Sequence, residues 1–152
     1  VPSRKPNVAS YTDPGGSVSY GFDTANELTS LIEPGGAKTT FGYNNAAVRT
    51  STTYPGGTVL ANNPDNSMRT QEIKATNGSN VFSDLAYSYA NGSGDTSLAQ
   101  ARTDKVAGAT TNYAYAALTR VTQATETTGG NTTASWLYCY DCDDARVLLR
   151  SA

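Results

Sequence analysis

Residues 19 to 36, SYGFDTANELTSLIEPGG, alternate apolar and polar side chains on both sides of a short polar stretch, then stop at Pro-Gly-Gly. That pattern reads as two strands joined by a turn and closed by a corner, because strand side chains alternate faces with period two. Residues 40 to 57, TFGYNNAAVRTSTTYPGG, say nearly the same thing 21 residues later. Pro-Gly-Gly begins at Pro14, Pro34 and Pro55. An aromatic-x-aromatic marker begins at Tyr20, Phe41, Tyr87, Tyr113 and Tyr138, at intervals of 21, 46, 26 and 25. The interval of 46 reads as two units with a worn marker between them, at Asn63 to Arg69. The chain thus holds about six copies of one hairpin-sized module.

The alternation predicts an all-β fold of antiparallel hairpins stacked into a continuous curved sheet, over a single domain of residues 1–152. Val18, Tyr20 and Phe22 share one face, as do Thr39, Phe41 and Tyr43, then Leu85, Tyr87 and Tyr89, then Ala134, Trp136, Tyr138 and Tyr140. Helical spacing is missing over any useful length, and residues 96 to 108 read as loop and strand. A lone hairpin is marginal in water, so the module needs its neighbours. Pro presets a negative φ in the corners and the glycines take positive φ. Asx-type turns are expected at DTAN (23 to 26), NNAA (44 to 47) and DCDD (141 to 144).

Composition narrows the function classes. Charged residues are 16% of the 152, against roughly 25% in ordinary soluble domains. A net charge of -2 supplies no field for nucleic acid or an anionic membrane. No apolar run approaches the roughly 20 residues that span a bilayer. Histidine is absent, which removes the commonest general base and transition-metal ligand together. The opening VPSRKPN reads as a processed or artificial beginning.

The recurring segments YGFDTANELTSLIEPGG, FGYNNAAVRTSTTYPGG, YAYAALTRVTQA and YCYDCDDARVLLRS resemble the tyrosine-aspartate (YD) repeats of the Rhs and wall-associated bacterial proteins. The family unit is Tyr-x-Tyr-Asp, a small residue, x, Gly or Asn, Arg or Leu, Thr, then a Pro-Gly corner. The resemblance implies a strip of hairpins that spirals into a shell, in large members around a C-terminal toxin. It implies a secreted or cell-surface location, and adhesion or carbohydrate binding in some members. Asn44, Ala90 and Ala116 stand where the family has Asp, and the Gly of the inter-strand turn is mostly missing. The family's self-cleaving Asp-Pro-x-Gly-Leu motif is also missing; DPGG at 13 to 16 recurs as EPGG and YPGG and reads as a corner. The chain therefore reads as a shell segment that assembles edge to edge with itself or with adjoining repeats.

Few residues carry chemistry. Cys139 and Cys142 are spaced as a redox pair, half a zinc site or a disulfide, and they also suit incidental thiols or a link between chains. Zinc would need two further ligands, which a chain with two Cys and no His lacks, so no metal or cofactor is expected. Asp141, Asp143 and Asp144 read as a solvated turn or, with converging oxygens, a calcium loop. Asp23, Glu27, Glu33, Asp84 and Asp95 are scattered, and a carboxylate-based hydrolase has no evident pair. The marker aromatics serve either as a cross-strand ladder or as a sugar-stacking stripe. Tyr54, outside the marker, and Trp136 and Tyr138 within it are the candidate ligand contacts for a glycan or cell-wall polymer. Asn77, Asn91 and Asn131 lie in glycosylation sequons that also read as plain turns.

Overall fold

The computed structural model describes residues 7–92, 94–140 and, for the backbone alone, 146–151. Among them are thirteen strands and no helix. They are β1 (Ser10–Asp13), β2 (Gly16–Phe22), β3 (Leu28–Ile32), β4 (Lys38–Tyr43), β5 (Arg49–Thr53), β6 (Thr58–Pro64) and β7 (Thr70–Asn77). There follow β8 (Asn80–Ser88), β9 (Ala101–Asp104), β10 (Ala109–Tyr115), β11 (Val121–Thr128), β12 (Asn131–Tyr140) and β13 (Arg146–Ser151). The strand order is the order of the sequence. The all-β reading holds. Residues 96 to 108 are loop, strand and turn, as expected.

Two compact units divide the chain, Val1–Phe82 and Ser83–Ala152, with the division inside β8. In the first, each strand from β1 to β7 pairs antiparallel with the next. In the second, the same holds from β8 to β13.

One loop design closes most hairpins of the first unit. In Asp23–Glu27, Glu33–Ala37, Asn44–Val48, Tyr54–Thr58 and Asp65–Arg69, the first N–H donates to the fifth carbonyl and the fourth N–H to the first, at 2.8–3.1 Å. These loops begin 10, 11, 10 and 11 residues apart, so the turn and the Pro-Gly-Gly corner share one hydrogen-bond pattern used twice per repeat. Ala116–Arg120 repeats it in the second unit. The fourth residue takes positive φ every time: Asn26, Gly36, Ala47, Gly57, Met68 and Thr119, between 59° and 88°. Asp23, Asn44 and Asp65 each accept the fifth N–H on Oδ1, as the Asx reading anticipated for the first two. The corner at Pro14 departs from the pattern. Asp13 pairs with Gly16 across a two-residue loop.

A β-bulge follows each turn of the marker kind, on the outgoing strand. Phe22, Tyr43, Pro64 and Tyr115 end their strands opposite Leu28, Arg49, Thr70 and Val121, and the register slips by one at Thr29, Thr50, Gln71 and Thr122. An inserted residue bends the strand and increases its local twist.

The sheet face that collects the aromatics forms no closed core. Among the described residues only Ala124 is a buried apolar residue, at 4% exposure. It sits in register between Tyr113 on β10 and Trp136 on β12, a small residue flanked by two half-buried rings. Stability therefore rests on cross-strand pairs, which contribute roughly 0.2–1 kcal/mol each, more than on a sealed interior.

Candidate functional site

In three repeats the second aromatic of the marker hydrogen-bonds back to an earlier backbone carbonyl. Tyr43 donates its hydroxyl to the Leu28 carbonyl at 3.0 Å, Tyr140 to Val121 at 2.7 Å and Tyr115 to Ala99 at 2.5 Å. Leu28 and Val121 are the residues that leave a five-residue loop, where a carbonyl at the bulge lacks a regular ladder partner. Burial, with a smaller contribution from Tyr113, pushes the Tyr115 hydroxyl above the ordinary phenol value, so it stays a donor. Arg120 lies over the Tyr140 ring at 4.8 Å and Arg49 over Phe41 at 5.5 Å, within cation–π range.

The candidate ligand contacts fall in different surroundings. Tyr54 opens the Pro55 corner and is 45% exposed. Trp136 and Tyr138 lie on β12 with Tyr140, half-buried on one face, while Leu137 and Cys139 are exposed on the other. Tyr54 thus lies in the first unit, and Trp136 and Tyr138 in the second. Cys139 is a free, exposed thiol. Its partner Cys142, and Asp141, Asp143 and Asp144, lie outside the described residues.

The carboxylates are mostly committed locally. Asp84, 5% exposed, faces the Lys105 ammonium at 3.3 Å, and the Lys105 N–H donates to the Asp84 carbonyl. The Asp65 carboxylate takes a fork from Arg69, Nε at 2.7 Å and a terminal nitrogen at 2.6 Å. That hydrogen bond, with the Ser67 and Arg69 N–H groups, holds the Asp65 carboxyl below its usual range. Asp23 and Glu27 do come together across their loop, where desolvation and the Asp23 hydrogen bond and charge raise the Glu27 carboxyl. Among the described residues no group of three His, Cys, Asp or Glu side chains is placed to hold a metal ion. No helix there is long and apolar enough to cross a membrane.

The first unit ends in a hollow of about 480 Å³, lined by Asn7, Val8, Tyr11, Tyr20, Phe22 and Leu28. Val8, Tyr11 and Phe22 are 65%, 58% and 38% exposed there. The edge strand β1 beside it is exposed at all four residues and pairs only with β2 among the described strands. Sequence reasoning expected an open end strand but not the hollow beside it. The signal was available: Asn7 precedes Leu28 by one 21-residue repeat.

Two solved structures share this architecture. The chain is similar to a part of the TcdB2-TccC3-Cdc42 crystal structure, with a TM-score of 0.66 at 17% identity over 87% of this chain. It is also similar to a part of the Photorhabdus luminescens Tc holotoxin pore, with a TM-score of 0.58 at 14% identity over 89%. The chain spans only 8% and 9% of those chains. No protein-family model and no curated protein sequence matches it. At such low identity the likeness shows the fold. What is shared is the antiparallel hairpin sheet.

Proposed function

We propose that this chain is a segment of a YD-repeat shell whose work is to continue a sheet. It joins adjoining repeat segments, or further copies of itself, through its terminal strands. The observation that carries the reading is the repeated hairpin closure at 21-residue spacing, with a terminal strand at each end of the series that, among the described strands, is paired on one side only. Unpaired strand edges template further pairing unless they are blunted, and neither SYTD nor RVLLRS carries Lys or Pro. The likeness to parts of Tc toxin structures supports the same reading, since this chain spans only 8% and 9% of those longer chains. A secreted or cell-surface location belongs to the proposal and rests on the family resemblance.

Sedimentation velocity on edge variants tests it. Tyr11→Lys in β1 and Leu148→Lys in β13 each place a charge on a terminal strand. The association of the unaltered chain is expected to be lost in both. Association that persists unchanged in the double variant would overturn the edge-pairing reading.

A further inference from the structure

β1 carries one half of an interface that the first unit completes elsewhere. Tyr11 pairs with Val18, and Leu31 pairs with Thr39. Val18 and Thr39 each stand two residues before the first ring of a marker, Tyr20 and Phe41. Tyr11 is therefore to β2 what Leu31 is to β4, and Val8, three residues earlier, takes the place of Leu28. On their other side Leu31 and Leu28 lie in register with Tyr20 and Phe22 of the preceding marker strand, and both are half-buried. Leu28 is thus held between Phe22 and Tyr43, whose hydroxyl reaches its carbonyl. Tyr11 and Val8 have no such strand beside them among the described residues, and they are 58% and 65% exposed. Both line the hollow of about 480 Å³, together with Phe22.

A sheet edge accepts an added strand through its backbone, and the alternate side chains decide which strand it takes. In the β2–β3 pair those side chains are the two rings of a marker, Tyr20 opposite Leu31 and Phe22 opposite Leu28. We infer that the outer edge of β1 and this hollow bind an extended strand that bears an aromatic-x-aromatic pair. The strand runs antiparallel to β1, with its first ring opposite Tyr11 and its second opposite Val8. Val8 then lies between the incoming ring and Phe22, as Leu28 lies between Phe22 and Tyr43. The site continues the β2–β3 interface by one strand. A strand with small polar residues at those two places makes the same backbone bonds and loses the ring contacts. The inference rests on the edge-pairing reading above and adds which strand the edge selects.

The test titrates a trace of the full chain, labelled on cysteine and dilute enough to be a single chain, with a peptide of residues 17–26, SVSYGFDTAN. Thermophoresis is expected to show saturable binding. The peptide carrying Tyr20→Ser and Phe22→Ser is expected to bind about tenfold more weakly, since the cross-strand ring pairs are gone. Val8→Lys alters an exposed position outside the strands, so the chain still folds, and it is expected to weaken the native peptide about tenfold. Val106→Lys, at an equally open position in the second unit, is expected to leave binding as in the parent. No saturable binding, or unchanged binding in Val8→Lys, would overturn the inference. Equal binding of the two peptides by a chain whose mass still rises with concentration would overturn ring selection and leave edge pairing standing. Absence of peptide binding together with a constant single-chain mass would overturn both.

Discussion

The Tyr43 hydroxyl donates to the carbonyl oxygen of Leu28, 15 residues earlier and at the exit of the preceding loop. The same tie joins Tyr140 to Val121 in the other unit. The marker tyrosine is therefore a fastener between successive hairpins, and its hydroxyl has a structural task before any ligand is considered. Removing that hydroxyl in Tyr43→Phe or Tyr140→Phe strands a carbonyl and keeps the ring. Each variant is expected to lose about 1 kcal/mol in urea unfolding. Unchanged midpoints in both would remove the fastening role.

Four five-residue loops carry a side chain at the left-handed position, where a Cβ is strained. Asn tolerates that conformation best, and a β-branched residue tolerates it worst. Thr119→Gly is accordingly expected to stabilise most, by about 1 kcal/mol, with Ala47→Gly and Met68→Gly behind it and Asn26→Gly near zero. Thermal melts giving the reverse order would show that the loop hydrogen bonds, and not backbone strain, set these positions.

At Gly16 the corner and the sheet meet closely. A Cβ added there would stand 2.6 Å from the Pro34 Cβ, at a φ of +128°. Proline's ring cannot swing aside, so Gly16→Ala should cost about 1–3 kcal/mol. Adding Pro34→Gly removes the clash but keeps the backbone strain, and the double variant is expected to recover part of the loss. Equal stabilities for the single and double variants would mean the close approach does not matter.

Alkaline pH gives an independent check on Tyr115. Its hydroxyl ionises above the ordinary value of 10 in the folded chain, so the unfolded chain sheds that proton first. Stability from this group is complete below the unfolded value and falls as pH rises through the folded one. Urea midpoints are expected to drop more steeply above pH 10 in the parent than in Tyr115→Phe. Parallel profiles would contradict the buried-donor assignment.

How much of this was legible depends on which residue type carries the signal. Tyr20, Phe41 and the corners at Pro34 and Pro55 announce hairpins because ring alternation and Pro-Gly are strong local cues. The worn unit at Asn63 to Arg69 was also visible, and Asp65 proved to start a loop like those at Asp23 and Asn44. The bulges at Thr29, Thr50 and Thr122 were not, because an inserted residue leaves composition untouched and shows only in pairing register. Ala47, Met68 and Thr119 concealed the left-handed position that Gly would have signalled.

The central claim is that the terminal strands continue into other repeats. Light scattering of the unaltered chain across a hundredfold range of concentration addresses it most directly. The account predicts a mass that rises with concentration beyond the 15.9 kDa of one chain. A constant single-chain mass over the whole range would contradict it.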